Sequence, residues 1–379
     1  MKHGSRRLLT IFFLMLFISS CTKELPSAQK TLYMNFRGDG INTPFYASRF
    51  FKLQYIQLKG DDVVGGVGKM AFCDNRYYLA ERNKIRVYDE DGNHLFTIDN
   101  WGRAKGEYIS LHSFDVNPVS GEISIFDQNG SKMLIYNREG QFTRDFAIND
   151  SLDVVRAFCV MEKGNYIFYN PVRTPGLPQV RAGAWMVDSV GCFMRHLVEV
   201  EEDFYYGTLA PYSFYFSHLG DGSVSLMGTE DKNLIYHIAQ DGKVTPRYNI
   251  SFDLNISKEM RRKSYFTKEE LQNENHYIKM GHLETDNLYV LMAYNPQKTG
   301  ILFYDKVNDK EYMATNNTTT DFVDDIGFSS YLGCAPDRFL NLYYPGTDEK
   351  TDAALGVTMN DSPFIVVGFT DQLQQMKDM

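Results

Sequence analysis

The chain has 379 residues, of which 43% are hydrophobic and 14% aromatic, so it can bury a packed core of one or two domains. Its 39 Lys and Arg residues stand against 48 Asp and Glu residues, which gives a formal net charge of −9 at pH 7. This acidic balance disfavours nucleic acid and anionic lipid headgroups as partners, because both are bound by basic surfaces.

The first twenty residues have the pattern of a secretory signal peptide. A positive stretch precedes an apolar run at residues 8–18, and its charges come from Lys2, Arg6 and Arg7. The run is too short to span a bilayer as a permanent helix. Cleavage after it leaves 36 basic against 48 acidic side chains, a formal charge of −12. The sequence therefore predicts an exported, acidic mature protein.

The apolar run ends in Ile-Ser-Ser-Cys at residues 18–21, which resembles the lipobox of bacterial lipoproteins. The resemblance implies that Cys21 receives the lipid and becomes the mature N-terminus. Its acyl chains then hold the protein in the cell envelope, on the periplasmic or surface face of the outer membrane. Ordinary secretory cleavage near Ser20 is the alternative, and it too exports the chain. The polar residues that follow predict a flexible tether, so that residues 21–44 form the lipidated cysteine and the tether.

One short pattern then recurs five times: an apolar strand runs into an Asp- or Asn-led turn that closes on Gly. Asp and Asn side chains bond to the backbone that follows them and Gly accepts positive φ, so each copy predicts a tight hairpin. The ends of the copies are 48, 51, 51 and 66 residues apart. The copies are 85–92 (IRVYDEDG), 133–140 (MLIYNREG), 184–191 (AWMVDSVG), 235–242 (IYHIAQDG) and 301–308 (ILFYDKVN), the last with Asn308 in place of Gly.

Other strand-like runs beside each hairpin bring the count to four strands per repeat. Four strands in a period of about fifty residues are typical of a β-propeller blade, whereas a β-sandwich does not need the same hairpin at nearly constant spacing. A sixth blade needs both chain ends, with strands at 328–334, 338–343 and 363–369 and an outermost strand from 50–58. We therefore predict an all-β, six-bladed β-propeller at residues 45–379, with four-stranded antiparallel blades and a ring closed by an N-terminal strand.

The longest spacing between repeats contains residues 257–275, which are charged, free of glycine and rich in helix formers. Thr267 and Glu270 stand at the two positions of a capping box. We expect one short helical insertion here, on a rim of the ring.

Two stretches carry a likeness to a known family. Residues 77–92 (YYLAERNKIRVYDEDG) are followed by a glycine-rich crossover at 101–108 (WGRAKGEY), and residues 360–369 (NDSPFIVVGF) look like a closing strand. On these residues the chain resembles the six-bladed β-propeller lipoproteins of Bacteroidetes, which are similar to NHL-repeat and TolB-like propellers. The resemblance covers nearly the whole mature chain. It implies an envelope-bound propeller and no established reaction.

Propellers present ligands to loops around the central channel, and the crossings at 101–108, 169–178 and 203–216 are rich in aromatic residues. Aromatic faces offer large, rigid contact areas that suit glycan or peptide ligands. For any single residue, packing between blades is the alternative. The candidate ligand-binding residues are Trp101, Arg103, Tyr108, Tyr205, Tyr206 and Tyr212.

The sequence shows no pattern of a nucleophile with its base and no set of metal ligands. It contains neither G-x-S-x-G nor H-E-x-x-H, and the pair His276 and His282 lacks a third ligand. We therefore predict no metal and no cofactor, and no catalytic residue is identified. Four cysteines follow Cys21, and we expect them to be small core hydrophobes; they allow three complete disulfide pairings, of which the sequence favours none. They are Cys73, Cys159, Cys192 and Cys334.

Three roles are compatible with these features. The anchor, the ring and the aromatic loops favour a non-enzymatic binding or scaffolding module for a glycan, a peptide or an envelope protein. A hydrolase or lyase that cleaves glycans or peptides is the alternative, and it needs carboxylates that converge in the central channel. A structural subunit of an outer-membrane assembly would carry an exposed apolar patch on the ring.

Overall fold

The computed structural model describes residues 28–36, 50–60, 64–148, 154–171, 180–200, 214–228, 233–254, 277–295, 298–316 and 332–371. The strands among these residues are, in chain order, β1 (Lys30–Met34), β2 (Lys52–Gln57), β3 (Lys69–Cys73), β4 (Arg76–Ala80), β5 (Ile85–Asp89), β6 (His94–Ile98), β7 (Ser113–Val116), β8 (Ile123–Asp127), β9 (Lys132–Tyr136), β10 (Phe142–Ala147), β11 (Ala157–Val160), β12 (Tyr166–Asn170), β13 (Gly183–Val187), β14 (Phe193–Val198), β15 (Phe216–His218), β16 (Val224–Met227), β17 (Leu234–Ile238), β18 (Val244–Phe252), β19 (Ile278–Glu284), β20 (Leu288–Asn295), β21 (Lys298–Asp305), β22 (Lys310–Asn316), β23 (Gly333–Ala335), β24 (Arg338–Tyr343) and β25 (Phe364–Phe369). The helix described is α1 (Glu349–Leu355).

These strands form six sheets around a central channel. We name them blade 1 (β3 to β6), blade 2 (β7 to β10), blade 3 (β11 to β14), blade 4 (β15 to β18), blade 5 (β19 to β22) and blade 6 (β23, β24, β25 and β2). The first strand of each blade is the innermost, and neighbouring inner strands contact one another, β23 with β3, β3 with β7 and β7 with β11. The six-bladed propeller of four-stranded antiparallel blades, predicted from the repeats, is confirmed.

The predicted hairpin turns join the third and fourth strands of the blades. In blade 1 the carboxylate of Asp89 accepts hydrogen bonds from the backbone N–H groups of Asp91 and Asn93, at 3.0 and 2.8 Å. Gly92 has φ 79°, a conformation in which a Cβ atom would be strained and would also meet the carbonyl of Gln57. The side-chain acceptor and the glycine together reverse the chain.

The fifth copy of the turn differs from the expected pattern. Asp305 again accepts from two backbone N–H groups, those of Val307 and Asn308, each at 3.0 Å. The positive φ of 53° falls on Asp309, however, and not on Asn308, which the sequence pattern placed at the glycine position. This turn is one residue longer, and Asp is one of the few residues besides glycine that tolerate such a φ.

The N-terminal strand closes the ring as predicted. β2 pairs with β25 from Lys52, opposite Phe369, to Gln57, opposite Phe364, and is the outermost strand of blade 6. The N–H of Leu58 extends this pairing to the carbonyl of Pro363 at 2.9 Å. Backbone hydrogen bonds therefore join the two ends of the propeller, and blade 6 is completed by a strand from before blade 1.

A strand lies inside the segment for which the sequence predicted a flexible tether. β1 adds a fifth strand to blade 4, where it pairs in parallel with β18. Leu32 and Met34 are buried in the adjoining core, and this alternation of apolar residues explains why the segment is ordered. Residues 30–34 therefore differ from the predicted tether.

The direction of β1 decides where the N-terminal segment reaches the ring. Strands of a blade alternate in direction, so β18 begins at the end of the ring where the inner strand β15 finishes. β1 runs parallel to β18, and Lys30 at its start forms an ion pair with Asp309 in the turn between β21 and β22. The N-terminal segment therefore joins the ring at the end where the inner strands finish.

The described helix, α1, lies between β24 and β25. The carboxylate of Asp348 caps its first turn by accepting from the N–H of Thr351 at 3.0 Å, and Gly356 ends it with φ 68°. Residues 257–275, where the sequence predicted a helical insertion, lie outside the described residues.

A buried charge network joins blades 4 and 5. The carboxylate of Glu284 has no exposed surface, and its Oε1 lies 3.0 Å from Lys306 Nζ and 3.4 Å from Arg247 Nε. The hydroxyl of Tyr248 donates to the same oxygen at 3.3 Å. Burial alone would raise the pKa of Glu284, but the positive charges of Lys306 and Arg247 outweigh it and hold that pKa below its usual value.

We expect Glu284→Gln to lower the free energy of unfolding by about 3–5 kcal/mol at pH 7, because it leaves two largely buried cations without their counter-charge. Urea denaturation followed by circular dichroism measures the difference. The folded-state pKa of Glu284 is lowered, so the stabilisation is present above the ordinary glutamate pKa of about 4.3 and is lost as the pH falls through the folded value. The gap between variant and parent should therefore narrow in acid.

The matched control is Glu90→Gln, which changes an exposed glutamate in the turn of blade 1. It should unfold at the same urea concentration as the parent to within about 0.5 kcal/mol. If Glu284→Gln is as stable as the control, or if its difference from the parent in free energy of unfolding stays constant as the pH falls, the ionised Glu284 does not stabilise the contact between blades 4 and 5.

Candidate functional site

A cavity of about 330 Å³ occupies the channel where the six blades meet. Residues on the inner strands of all six blades line it, with Leu283 as the contribution of blade 5. The lining continues onto the turns that follow these strands, at Asp74, Pro118, Leu219 and Asp337. This space, the channel cavity, therefore lies toward the end of the ring where the inner strands finish.

Three polar side chains from three blades meet in the wall of the channel cavity: Asp115 of β7, Cys159 of β11 and His218 of β15. His218 Nε2 lies 2.9 Å from Asp115 Oδ2 and 3.6 Å from Cys159 Sγ. Asp115 and His218 line the cavity, whereas Cys159 is buried behind them. The His218 side chain is 25% exposed, so the imidazole is the member of this cluster with the most contact with the cavity.

The electrostatics of the cluster favour a charged pair. Burial alone would raise the pKa of Asp115, but His218, Lys69 and the N–H of Val160, which donates to Oδ2 at 2.8 Å, together lower it. Burial would lower the pKa of His218, but the neighbouring Cys159 and Asp115 raise it well above its ordinary value. At neutral pH the pair is therefore a carboxylate and an imidazolium.

Cys159 does not have the setting of a catalytic nucleophile. Burial raises the pKa of its thiol, whereas reactive cysteines sit in accessible, electropositive places that favour the thiolate. In addition, the same ring nitrogen of His218 faces both Asp115 and Cys159. A catalytic triad uses one ring nitrogen toward the nucleophile and the other toward the acid. The cluster is therefore not arranged as a Cys–His–Asp triad.

Two further cysteines lie on inner strands. Cys73 Sγ donates to the carbonyl of Asn117 at 3.6 Å, and burial raises the pKa of its thiol to about 11. Cys334 Sγ donates to the carbonyl of Glu284 at 3.6 Å, and burial raises its pKa as well. All four cysteines of the described residues are free thiols. Cys192 is exposed, so the expectation of a core hydrophobe does not hold there.

Two acidic side chains of the channel cavity, Asp74 and Asp337, are paired with arginines. Asp74 forms an ion pair with Arg138. Arg338 holds both carboxylate oxygens of Asp337, at 2.8 Å from Nε and 2.6 Å from Nη2. The same guanidinium lies 4.0 Å from the centre of the Phe72 ring. The cavity therefore offers aromatic surface together with charges of both signs.

Three of the six ligand-binding residues predicted from the sequence are described by the structure, and they lie away from this cavity. Trp101 is 66% exposed in the crossover between blades 1 and 2, where its Nε1 donates to the carbonyl of Ile109 at 3.1 Å. Arg103 is exposed in the same crossover. Tyr108 is fully buried and its hydroxyl donates to the carbonyl of Asn83 at 2.6 Å. Tyr108 is thus a packing residue of the core and has no surface for a ligand.

The crossover and the channel cavity are at opposite ends of the ring. The crossover leads into the start of β7, whereas the cavity extends to the ends of the inner strands. None of the described candidates lines the cavity. The other three, Tyr205, Tyr206 and Tyr212, lie outside the described residues.

Sequence reasoning missed the cluster because its members are far apart in the chain. Cys159 and His218 are separated by 59 residues and Asp115 and His218 by 103, whereas metal and catalytic motifs are sought at short spacing. A usable signal was present, since each member is the one titratable side chain of a short strand that precedes a turn.

The six-bladed fold agrees with comparisons to known proteins. A crystal structure of an exported-protein candidate from Bacteroides fragilis NCTC 9343 is similar with TM-score 0.70 and 18% identity, over 90% of this chain and 99% of that one. A member of the DUF4221 family from Bacteroides vulgatus ATCC 8482 is similar with TM-score 0.50 and 12% identity, over 84% of this chain and 96% of that one. A search of curated proteins gave no match.

At these identities the structural likeness shows the fold alone. The family profile of DUF4934, a domain of unknown function, matches residues 41–355, from before β2 to the end of α1. Because that match covers most of the chain and most of the six-bladed ring, the protein belongs to the DUF4934 family.

Proposed function

We propose that this protein is a lipid-anchored propeller of the cell envelope that binds a ligand in its channel cavity without altering it chemically. The observation that carries the proposal is the position of the cavity on the axis of a closed ring, where residues of all six blades converge. A concave site with a few placed polar groups on a rigid frame is the usual form of a ligand pocket.

The size and lining of the cavity indicate the class of ligand. Its volume of about 330 Å³ is at the small end of the range of about 300–1,000 Å³ for ligand pockets. Phe72 and Phe216 supply aromatic surface, and Lys69, Asp337 and Arg338 supply charge. Aromatic faces with paired charges suit a terminal sugar or the end of a peptide, because they combine flat contact area with directed hydrogen bonds.

The alternative role of a hydrolase or lyase has less support from the geometry. Glycoside hydrolysis needs two carboxyl groups, one of which is held in an apolar setting that keeps it protonated. Among the described cavity residues, Asp74 has Arg138 as a partner, Asp337 has Arg338 and Asp115 has His218. Each described acid at the cavity therefore faces a basic side chain and lacks the setting of a proton donor.

The place in the envelope is proposed from the N-terminal sequence. Residues 1–20 have the pattern of a signal peptide, and residues 18–21 that of a lipobox. In the part of the chain that the structure describes, no helix is long and apolar enough to cross a membrane. On this proposal the lipid on Cys21 provides the attachment, and the outer membrane is its site.

We expect the chain from Thr22 onward, which retains β1, to bind members of a glycan and peptide array. Phe72→Ala should raise the dissociation constant at least tenfold, which corresponds to a loss of about 1.4 kcal/mol of binding free energy. The ring of Phe72 lies in the cavity wall, so its removal takes away contact area there. Trp101→Ala should leave the dissociation constant unchanged, because Trp101 is at the other end of the ring.

Phe193→Ala is the matched control. The Phe193 ring has an arginine, Arg181, at 4.0 Å, just as the Phe72 ring has Arg338 at 4.0 Å. Phe193, however, belongs to the outer strand β14 and does not line the cavity. Near-ultraviolet circular dichroism confirms that each variant is folded. Loss of binding in Trp101→Ala with Phe72→Ala unaffected would move the site to the crossover. No binding by the parent to any member would favour the assembly role, for which Val190, Phe193 and Met194 are exposed apolar residues on one hairpin.

The anchor is tested separately by growing cells with a labelled fatty acid. We expect the parent to incorporate the label and to sediment with membranes, and Cys21→Ala to do neither, because the thiol that receives the lipid is gone. Cys192→Ala, which removes an exposed thiol elsewhere, should behave like the parent. Label that persists in Cys21→Ala would refute lipidation at this residue.

A further inference from the structure

We propose that Asp115, Cys159 and His218 form a binding site for one transition-metal ion of the Zn²⁺ type in the wall of the channel cavity. The inference goes beyond the proposed ligand binding, although it concerns the same cavity. It rests on the meeting of one carboxylate oxygen, one thiol sulfur and one imidazole nitrogen, all within 4.8 Å of one another.

Two of the three separations are close to those in a tetrahedral site, and the third, between Asp115 and Cys159, is within 4.8 Å. With zinc bonded to nitrogen and oxygen at about 2.0 Å and to sulfur at about 2.3 Å, neighbouring ligand atoms lie about 3.3–3.6 Å apart. His218 Nε2 and Cys159 Sγ are 3.6 Å apart, which already fits. His218 Nε2 and Asp115 Oδ2 are 2.9 Å apart, the distance of a hydrogen bond, and an ion that replaces the shared proton requires them to separate by only a few tenths of an ångström.

The donor set selects the class of metal. A thiolate sulfur and an imidazole nitrogen are ligands of zinc and of other late first-row ions, whereas calcium and magnesium take oxygen ligands almost exclusively. Cysteine binds as the thiolate, so the Cys159 proton and the proton shared between His218 and Asp115 pass to solvent when the ion enters. The ion then replaces these two protons with two positive charges, and the net charge of the wall is unchanged.

The frame holds the three side chains in place before any ion binds. They belong to β7, β11 and β15, the inner strands of three consecutive blades, whose positions are fixed by the closed ring. The N–H of Val160 donates to Asp115 Oδ2 at 2.8 Å and orients the carboxylate, as partners of metal ligands commonly do. Lys69 is the charged neighbour that opposes a cation, but its Nζ donates to the carbonyl of Phe114 at 2.7 Å.

Three protein ligands leave one tetrahedral position for another group. Asp115 and His218 line the channel cavity while Cys159 lies behind them, so the fourth position is on the cavity side. Structural zinc sites are closed by four protein ligands, whereas sites with three keep a position for water or for a bound molecule. The ion would therefore be accessible to a carboxylate or hydroxyl oxygen of a cavity ligand.

The test uses the full chain, purified in detergent, stripped of metal with a chelator and titrated with Co²⁺ or Zn²⁺ alone. We expect one equivalent of Co²⁺ to bind, with the near-ultraviolet charge-transfer band of a thiolate ligand and the intense visible bands of four-coordinate cobalt. Zn²⁺ should displace it. Cys159→Ser should remove the charge-transfer band. Cys159→Ser and Asp115→Asn, each as a single variant, should weaken cobalt binding by more than about 100-fold, which exceeds the 10–100-fold typical of a lost outer-shell partner.

Cys192→Ser is the matched control, because Cys192 is an exposed thiol outside the cavity, and it should leave band and affinity intact. Thermal unfolding confirms that each variant is folded. If Cys159→Ser does not fold, His218→Gln tests the loss of affinity instead, because it removes the imidazole ligand. Absence of a stoichiometric cobalt complex in the parent, or a thiolate band that survives Cys159→Ser, would overturn the site. Because the metal is the only probe, this failure is distinct from a failure to bind glycans or peptides.

Discussion

The pairing of β2 with β25 is the constraint on which the rest of the molecule depends. A twisted four-stranded sheet with two apolar faces is stable only between two neighbours, and six such sheets satisfy one another only when the ring closes. Closure also places the six inner strands around one axis. Side chains as distant in sequence as Asp115 and His218 are brought within 2.9 Å in this way, so the central site follows from the geometry of the ring and not from any local motif.

Two buried carboxylates show how the same ring serves structure and site. Glu284 lies between blades 4 and 5, sealed from solvent and paired with Lys306 of blade 5 and Arg247 of blade 4. Asp115 lies at the axis with partners that can lose protons or bind metal. The first arrangement fastens adjacent blades. The second is placed beside an open space, and its chemistry can respond to what enters there.

The architecture could be predicted from the sequence, because it depends on local signals that repeat. The turn at Asp89 and Gly92 and the strand that closes the ring each follow from a few adjacent residues. The site could not be predicted, because an aromatic residue in the sequence does not show whether its side chain faces the core or a ligand. The hydroxyl of Tyr108 donates to a carbonyl within the core, and the cavity extends toward the end of the ring opposite the crossover that contains Tyr108. β1 was missed for a similar reason, since a five-residue parallel strand finds its partner, β18, about two hundred residues later.

The place where β1 joins the ring determines how the cavity meets its surroundings. Lys30 enters at the same end of the ring as the turns that line the channel cavity, and eight residues lie between it and Cys21. With Cys21 lipidated as proposed, that length of chain spans at most about 30 Å even when fully extended. The point of attachment, at the end of the ring toward which the cavity extends, would then stay within that distance of the bilayer surface.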